Sequence, residues 1–352
     1  MFRILLTFSA AIAVSHGGSI ISRLQYSVFS SYTLYTNEKP NIGQNIQLTE
    51  DSVVALNITN STNCAIIVHG INDRGLGVMS TVVRDALLTS GTVNVIIVDW
   101  AEGAAEEWAT HSLEPVSNDA VELIRLLTVN NRTNPAKLHL IGFDLGAHIV
   151  GLIGRTSTYT IARITGLNPA KSLEGYSNAL RRGDANYVEV IHTETTTHGF
   201  FYSVGHVDFY PHGGKDQPGC EDDIMCSHNR AWELFAASLT HGRVVGNKCP
   251  GQRAATSDKP CTGFTLALGT NDLVKYGSGV YRLETNPVYP YRCLVKCGLV
   301  DSIIKAIENI SSEDDSVTDT TVTTEDYTTE DYTTEDYTTE DYTTEDYTST
   351  RQ

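Results

Sequence analysis

Residues 142–146, Gly-Phe-Asp-Leu-Gly, have the spacing of a nucleophile elbow, a sharp turn between a strand and a helix that exposes the central side chain. In the usual form of this turn the central residue is a serine, whose hydroxyl attacks an acyl carbon while a histidine takes its proton. Here the central residue is Asp144. The pattern therefore predicts that the turn is present and that the attacking hydroxyl is absent.

Short β-branched runs alternate with helical patterns on both sides of this turn. Such runs are typical of strands buried on both faces of a parallel sheet, and they cover residues 64–70, 93–100, 137–142, 161–167 and 186–194. Helices are predicted at residues 78–88, 118–127 and 146–154, the second of them capped by Ser117. This alternation predicts an α/β fold, with a doubly wound and mostly parallel sheet in a single domain.

The two ends of the chain differ in composition from its body. Residues 1–17 combine Arg3, an apolar run and small residues, the pattern of a secretory signal peptide, and the folded domain is expected at 18–297. Residues 298–312 are expected to form a short helix or linker. Residues 313–352 contain Thr-Thr-Glu-Asp-Tyr five times, and with fourteen acidic residues and one arginine they carry −13 of the total charge of −17. This tail is predicted to be disordered, because it has almost no aliphatic side chains.

The composition also limits the partners and the location of the protein. No segment after the first residues is apolar for about 20 residues, so no transmembrane helix is predicted. The sequence has no basic stripe, so a nucleic-acid partner is not expected. A basic protein or a receptor would instead suit the acidic tail. We expect the protein to be secreted and extracellular.

Several sequence features suit the secretory pathway. N-glycosylation sequons begin at Asn57, Asn60, Asn131 and Asn309. Each tyrosine of the repeat follows Glu-Asp, a context that favours tyrosine sulfation, and these residues are Tyr327, Tyr332, Tyr337, Tyr342 and Tyr347. Two alternatives remain open, namely O-glycans on the threonines and an unmodified, solvated acidic tail.

Six of the seven cysteines fall in close couples, which favours local disulfides in an oxidising compartment. Spacing alone does not fix the pairing, and the couples are Cys220 with Cys226, Cys249 with Cys261, and Cys293 with Cys297. Cys64 heads an apolar run and is expected to be a buried thiol. No histidines accompany the cysteines at zinc-site spacing, so neither a metal nor a cofactor is expected.

Six motifs carry a resemblance to a known family. They are VHG at 68–70, VDW at 98–100, HLIGFDLGAH at 139–148, ITGLNPA at 164–170, VIHTE at 190–194 and GHVDFYPHGGKDQPGCEDDIMCSHNR at 205–230. Over roughly residues 60–292 the chain resembles the secreted lipase family that includes pancreatic lipase, the sn-1 phospholipases of insect venom and the dipteran yolk proteins. The resemblance implies an α/β-hydrolase fold.

The resemblance also implies where the site lies. The Ser, Asp and His positions of active members correspond here to Asp144, Asn168 and His228, so two of the three are replaced. The oxyanion hole would use the backbone N–H groups of Ile71 and Leu145, which do not depend on a side chain.

Other family features are reduced in this sequence. The segment that corresponds to the lid has only five residues between its cysteines, as in the phospholipases and yolk proteins. Of the positions that supply calcium ligands in pancreatic lipase only Asp184 is acidic, so no calcium is expected. Arg-Gly-Asp at 182–184 is interpreted as a structural turn, and His69 and His148 as packed rather than catalytic.

These features predict a secreted, catalytically deficient lipase homologue. It would bind lipid or a fatty acyl ligand, or serve as a yolk-like storage or partner-binding protein. Two enzymatic alternatives remain. One is ordinary hydrolysis of lipid esters through another serine. The other is an aspartate-nucleophile reaction, as in haloalkane dehalogenases and epoxide hydrolases, with Asp144, His228 and an acid relocated to Glu194.

Overall fold

The computed structural model describes residues 30–292 apart from residue 243. Its strands are β1 (Ser31–Thr36), β2 (Lys39–Ile46), β3 (Asn63–Val68), β4 (Val93–Asp99), β5 (Leu138–Phe143), β6 (Arg163–Leu167), β7 (Tyr187–Ile191), β8 (Val207–Pro211), β9 (Val244–Lys248), β10 (Thr265–Leu268) and β11 (Gly279–Leu283). Its α-helices are α1 (Glu50–Val54), α2 (Val78–Ser90), α3 (Ala109–Val129), α4 (Leu145–Thr156), α5 (Ile224–Thr240) and α6 (Gln252–Ala255).

The strands of this range form one sheet in the order β10-β9-β11-β8-β7-β6-β5-β3-β4-β1-β2. From β4 through β3, β5, β6, β7 and β8 to β11 all neighbours pair in parallel. Antiparallel pairs, β1 with β2 and β9 with β10, extend the two edges. The carboxyl ends of the parallel strands therefore lie along one edge of the sheet, where the loops that carry the site are found.

Helices cover both faces of the sheet. Ile66 and Val68 of β3 share a buried cluster with residues of α3 and α4, whereas Ile67 packs with residues of α2 and α5. Successive side chains of a strand point to opposite faces of the sheet, so an uninterrupted apolar run packs against the helices on both faces. The expected α/β class and the doubly wound, mostly parallel sheet are confirmed.

The predicted strands and helices are present, with one error at a helix start. Ser117 does not cap a helix, because α3 begins at Ala109 and continues through Pro115. The Ser117 hydroxyl instead donates to the Leu113 carbonyl, 2.6 Å away, inside the helix. Buried Leu113 and Val116 tie this first half of α3 to the core, which outweighs the missing N–H of the proline.

Two of the expected disulfides lie in the described range and are confirmed. Cys220 is joined to Cys226, and Cys249 to Cys261. Cys64 is a buried free thiol, as expected. The third couple, the predicted signal peptide and linker, the acidic tail and Asn309 lie outside the described residues. The asparagines of the other three sequons, Asn57, Asn60 and Asn131, are exposed.

Among the described residues no helix is both long enough and apolar enough to cross a membrane.

Candidate functional site

Asp144 lies at the sharp turn between β5 and α4, with φ 54° and ψ −120°. The turn brings backbone segments so close that a Cβ on Gly142 would lie 2.2 Å from the Gly146 carbonyl oxygen. A Cβ on Gly146 would lie 2.3 Å from the carbonyl oxygen of Val68 on the neighbouring strand. Both glycines are thus required by space, and a non-glycine residue at positive φ stores strain of about 1–3 kcal/mol. The predicted elbow is present.

The Asp144 carboxylate occupies the region where an oxyanion would bind. Its Oδ2 accepts a hydrogen bond from the backbone N–H of Ile71 at 2.9 Å, and its Oδ1 lies 3.6 Å from Nε2 of His228. Burial raises the pKa of Asp144, but the contact with His228 and the N–H groups of Ile71 and Leu145 lower it by more. The pKa of this carboxyl therefore lies below its ordinary value, and the group is ionised near neutral pH.

Asn168 follows β6 and contacts the other side of the His228 ring. Its Oδ1 accepts from the N–H groups of Thr193 at 2.8 Å and Glu194 at 3.1 Å. Its Nδ2 donates to the Glu194 carbonyl at 2.9 Å and lies 2.5 Å from His228 Nδ1. Reversing the amide would lose three backbone hydrogen bonds, each worth roughly 1 kcal/mol, so its orientation is fixed.

The amide orientation determines where the imidazole carries its proton. Nδ2 of Asn168 is a donor, so Nδ1 of His228 must accept, and the proton of the neutral ring is on Nε2. Nε2–H then faces Asp144. A serine hydrolase requires the opposite tautomer, with Nδ1–H held by a carboxylate and Nε2 free to take a proton. At this site the histidine is a donor toward residue 144.

The three side chains are almost completely enclosed. Asp144 is 6% exposed, Asn168 0% and His228 2%. The ring of Phe143 lies against His228 with ring centroids 4.7 Å apart. The structure thus brings together the three residues expected from the sequence, and little of their surface is left for a substrate.

Glu194 lies next to this cluster, but its carboxylate turns away from the histidine. Its oxygens accept hydrogen bonds from the backbone N–H groups of residues 196–199 at 2.6–3.2 Å and from the Thr196 hydroxyl. Burial raises the pKa of Glu194, and these hydrogen bonds lower it to below its ordinary value. The carboxylate closes the loop after β7, and Asn168 occupies the position beside Nδ1 of His228.

His69 and His148, the two histidines expected to be packed, are held by backbone groups. His69 accepts from the Trp100 N–H through Nε2 at 3.0 Å, and its ring stacks on the indole. Nε2 of His148 lies 2.9 Å from the Ala170 carbonyl, and Nδ1 accepts from the Leu180 N–H at 3.0 Å. Burial lowers the pKa of His148 to about 4, so this ring is neutral near neutral pH. Both side chains position loops.

Asp184, the acidic residue of the Arg-Gly-Asp sequence, is buried in a short 3-10 turn. Arg155 binds both of its oxygens, with Nε–Oδ1 at 3.0 Å and Nη2–Oδ2 at 2.9 Å. Arg155 was not predicted from the sequence as a partner of Asp184, although a cation in the last turn of a helix is a recognisable signal. Across the described residues no group of three or more His, Cys, Asp or Glu side chains is arranged to hold a metal ion.

Comparison with known proteins gives matches along most of the chain. Residues 19–261 match the family described as Lipase. Pancreatic triacylglycerol lipase of Oryctolagus cuniculus is 31% identical over 274 residues, which cover 69% of this chain and 59% of that protein. Lipase member H-B of Xenopus laevis is 36% identical over 238 residues, which cover 62% of this chain and 51% of that protein.

Solved structures also match. An alpha/beta hydrolase enzyme from a Medee basin deep-sea metagenome library superposes with a TM-score of 0.32 at 14% identity, covering 47% of this chain and 66% of that one. The chain spans little more than half the length of the curated relatives named above.

Proposed function

The chain belongs to the lipase family and has an α/β-hydrolase fold, and we propose that it is a member whose ester-hydrolysing site has been closed by Asp144. The observation that carries the proposal is the position of this carboxylate. It accepts a hydrogen bond from the N–H of Ile71 and faces Nε2 of His228. The oxyanion-hole N–H that would polarise an ester carbonyl is therefore already hydrogen-bonded.

Magnitudes support the loss of ester hydrolysis. Removing the nucleophile of a serine hydrolase lowers the rate by about a million-fold, and removing the charge of the orienting acid lowers it by about ten-thousand-fold, although the two effects are not additive. A carboxylate about 4 Å from a developing oxyanion opposes it by about 4 kcal/mol at an effective dielectric constant of 20. Another serine on an elbow of this kind would be needed to restore the reaction.

An aspartate-nucleophile reaction is the alternative, because Asp144 is placed where a nucleophile stands. Hydrolysis of the covalent ester would require His228 to take a proton from water. The amide of Asn168 argues against this step, since it leaves the proton on Nε2, the nitrogen that faces the site. Glu194 does not offset this arrangement, because its carboxylate is bound to the loop at residues 196–199.

Without turnover, the scaffold is left with a binding function. We infer that the protein is secreted and either carries a lipid or fatty acyl ligand or serves as a yolk-like storage protein that binds partners through its acidic tail. If the protein carries a lipid, an acyl ligand should co-purify with it. Storage predicts high abundance in one tissue and no ligand, and a basic partner or receptor predicts binding that weakens with salt.

Turnover on a panel of acyl esters, phospholipids and epoxides tests the proposal. Wild type, Asp144→Ala and the double variant Asp144→Ser with Asn168→Asp are compared. We expect wild type to be inert and the double variant to cleave esters, because it regains the hydroxyl and the Nδ1 partner. Turnover by wild type that is abolished in Asp144→Ala would overturn the proposal and assign Asp144 as a nucleophile.

A further inference from the structure

A cavity of about 530 Å³ lies between the loop that follows β6 and the loop that follows β7. None of the three triad positions, residues 144, 168 and 228, lines it. Its volume is in the range of pockets that bind one drug-sized ligand. The cavity is therefore a binding site candidate separate from the closed cluster around Asp144.

The apolar part of the cavity is preformed. Leu180 and Phe200, two of its lining residues, are 1% and 3% exposed, and Val204 lies beside them. The N–H of Leu180 is held by His148 at 3.0 Å, and the N–H of Phe200 donates to the Pro169 carbonyl at 2.7 Å. Because this backbone is fixed and Leu180 and Phe200 are packed in the core, they form a rigid floor of the cavity, and partly buried Val204 adds apolar surface beside it.

The polar part carries one charge of each sign. Arg181 has a side chain that is 59% exposed, and its Nε lies 3.4 Å from Asp184. Arg155 already binds Asp184 through two hydrogen bonds, so two guanidinium groups share one carboxylate and positive charge is left at Arg181. A guanidinium in this state suits a phosphate.

Glu174 lines the same cavity together with two tyrosines. Its Oε1 accepts from the N–H of Phe201 at 3.2 Å. Tyr176 and Tyr202 are 68% and 58% exposed, so most of each side chain is open to solvent beside the cavity. A carboxylate beside exposed aromatic faces is the combination that binds a quaternary ammonium group.

We propose that this cavity binds a single-chain zwitterionic lipid of the lysophosphatidylcholine type. The chain packs on Val204 and over the floor that Leu180 and Phe200 form, Arg181 binds the phosphate, and Glu174 with the tyrosine rings binds the ammonium group. The proposal rests on the lipid-binding use proposed above and places that use outside the former catalytic cluster.

The test is direct binding of three non-hydrolysable probes below their micelle concentrations, measured by calorimetry on the full chain. The probes are an ether-linked lysophosphatidylcholine, the corresponding lysophosphatidic acid, which lacks the ammonium group, and an alkyl trimethylammonium, which lacks the phosphate. Arg181→Gln should weaken the first two probes by about tenfold or more and leave the third unchanged. Glu174→Gln should weaken the first and third probes and leave the second unchanged.

Arg182→Gln is the matched control, because this adjacent arginine is exposed but does not line the cavity. It should leave all three affinities unchanged. Val204→Trp should abolish binding by filling the apolar part, and thermal unfolding of each variant identifies a variant that does not fold. Equal affinities in wild type, Arg181→Gln and Glu174→Gln, or no binding to wild type, would overturn the proposal. Either result is independent of ester turnover, which tests the closed catalytic site separately.

Discussion

Replacing Asn168 with Asp tests which nitrogen of His228 carries the proton. In the wild-type protein the Asn168 amide donates to Nδ1, so Nδ1 is expected to carry no proton and Nε2 to carry one. In Asn168→Asp a carboxylate oxygen takes the place of Nδ2. This oxygen cannot donate to Nδ1 of His228. It also faces the Glu194 carbonyl oxygen, to which Nδ2 donates at 2.9 Å in the wild type.

The size of the effect follows from the charges. A new carboxylate about 4 Å from an imidazolium stabilises it by about 4 kcal/mol at an effective dielectric constant of 20. This equals a factor of roughly a thousand in the protonation equilibrium. His228 would then lie between two carboxylates, Asp144 on one side and Asp at position 168 on the other, so the variant should hold a doubly protonated ring near neutral pH. Loss of the bond to the Glu194 carbonyl should lower the free energy of unfolding by about 1 kcal/mol.

Nitrogen NMR with histidine-selective labelling measures both states. The wild-type spectrum should show His228 with an unprotonated Nδ1 and a protonated Nε2, and Asn168→Asp should show both nitrogens protonated. His148 is an internal control, because its Nδ1 also accepts a backbone N–H and its surroundings are unchanged. A wild-type ring with its proton on Nδ1 would refute the orientation of the amide and with it the argument against a catalytic base.

Three further predictions concern stability and reactivity. Asp144→Asn should lower the free energy of unfolding by about 1–3 kcal/mol at neutral pH. Because the pKa of Asp144 is lower in the folded than in the unfolded protein, the full difference in unfolding free energy should be present above about pH 4, the pKa in the unfolded protein. The difference should vanish as the pH falls through the pKa in the folded protein, and urea titrations at several pH values measure it. Glu189→Gln should cost about 3–5 kcal/mol, because it leaves the fully buried Arg163 without its carboxylate, and the same titrations at neutral pH check it. Cys64, whose pKa is raised to about 12 by burial, should resist alkylation in the native protein and react in urea, as mass spectrometry would show.

The sequence predicted the centre of the sheet better than its edges. Parallel strands such as β3 and β4 are buried on both faces and are continuous apolar runs, a pattern that is readable without neighbours. Strand β2, KPNIGQNI, is almost entirely exposed and contains proline and glycine, so its pairing with β1 depends on tertiary contacts. The error at Ser117 has the same origin, since burial of Leu113 and Val116 extends α3 past a proline.

The sequence predicted where the site lies, but not which of its groups donate and which accept hydrogen bonds. The family resemblance predicted that Asp144, Asn168 and His228 lie together. Asp144 and Asn168 follow the neighbouring strands β5 and β6, and His228 lies near the start of α5. The direction of the Asn168 amide depends on the N–H groups of Thr193 and Glu194 in another loop, and no local sequence signal reports that direction. The two carboxylates likewise have roles that only the fold assigns: Asp144 faces the histidine, and Glu194 binds its own loop.

The retained elbow is explained by the backbone groups it brings together. The N–H of Ile71, in the loop after β3, and the N–H of Leu145, the first residue of α4, both contact the Asp144 carboxylate, and buried donors of this kind need an acceptor. A serine hydroxyl is a weaker partner for them than a carboxylate, which a helix N-terminus also favours electrostatically. Once turnover is no longer required, aspartate at this position supplies that acceptor. Restoring serine at position 144 together with aspartate at position 168 should therefore return chemistry at the expense of stability, the usual relation between the two at an active site.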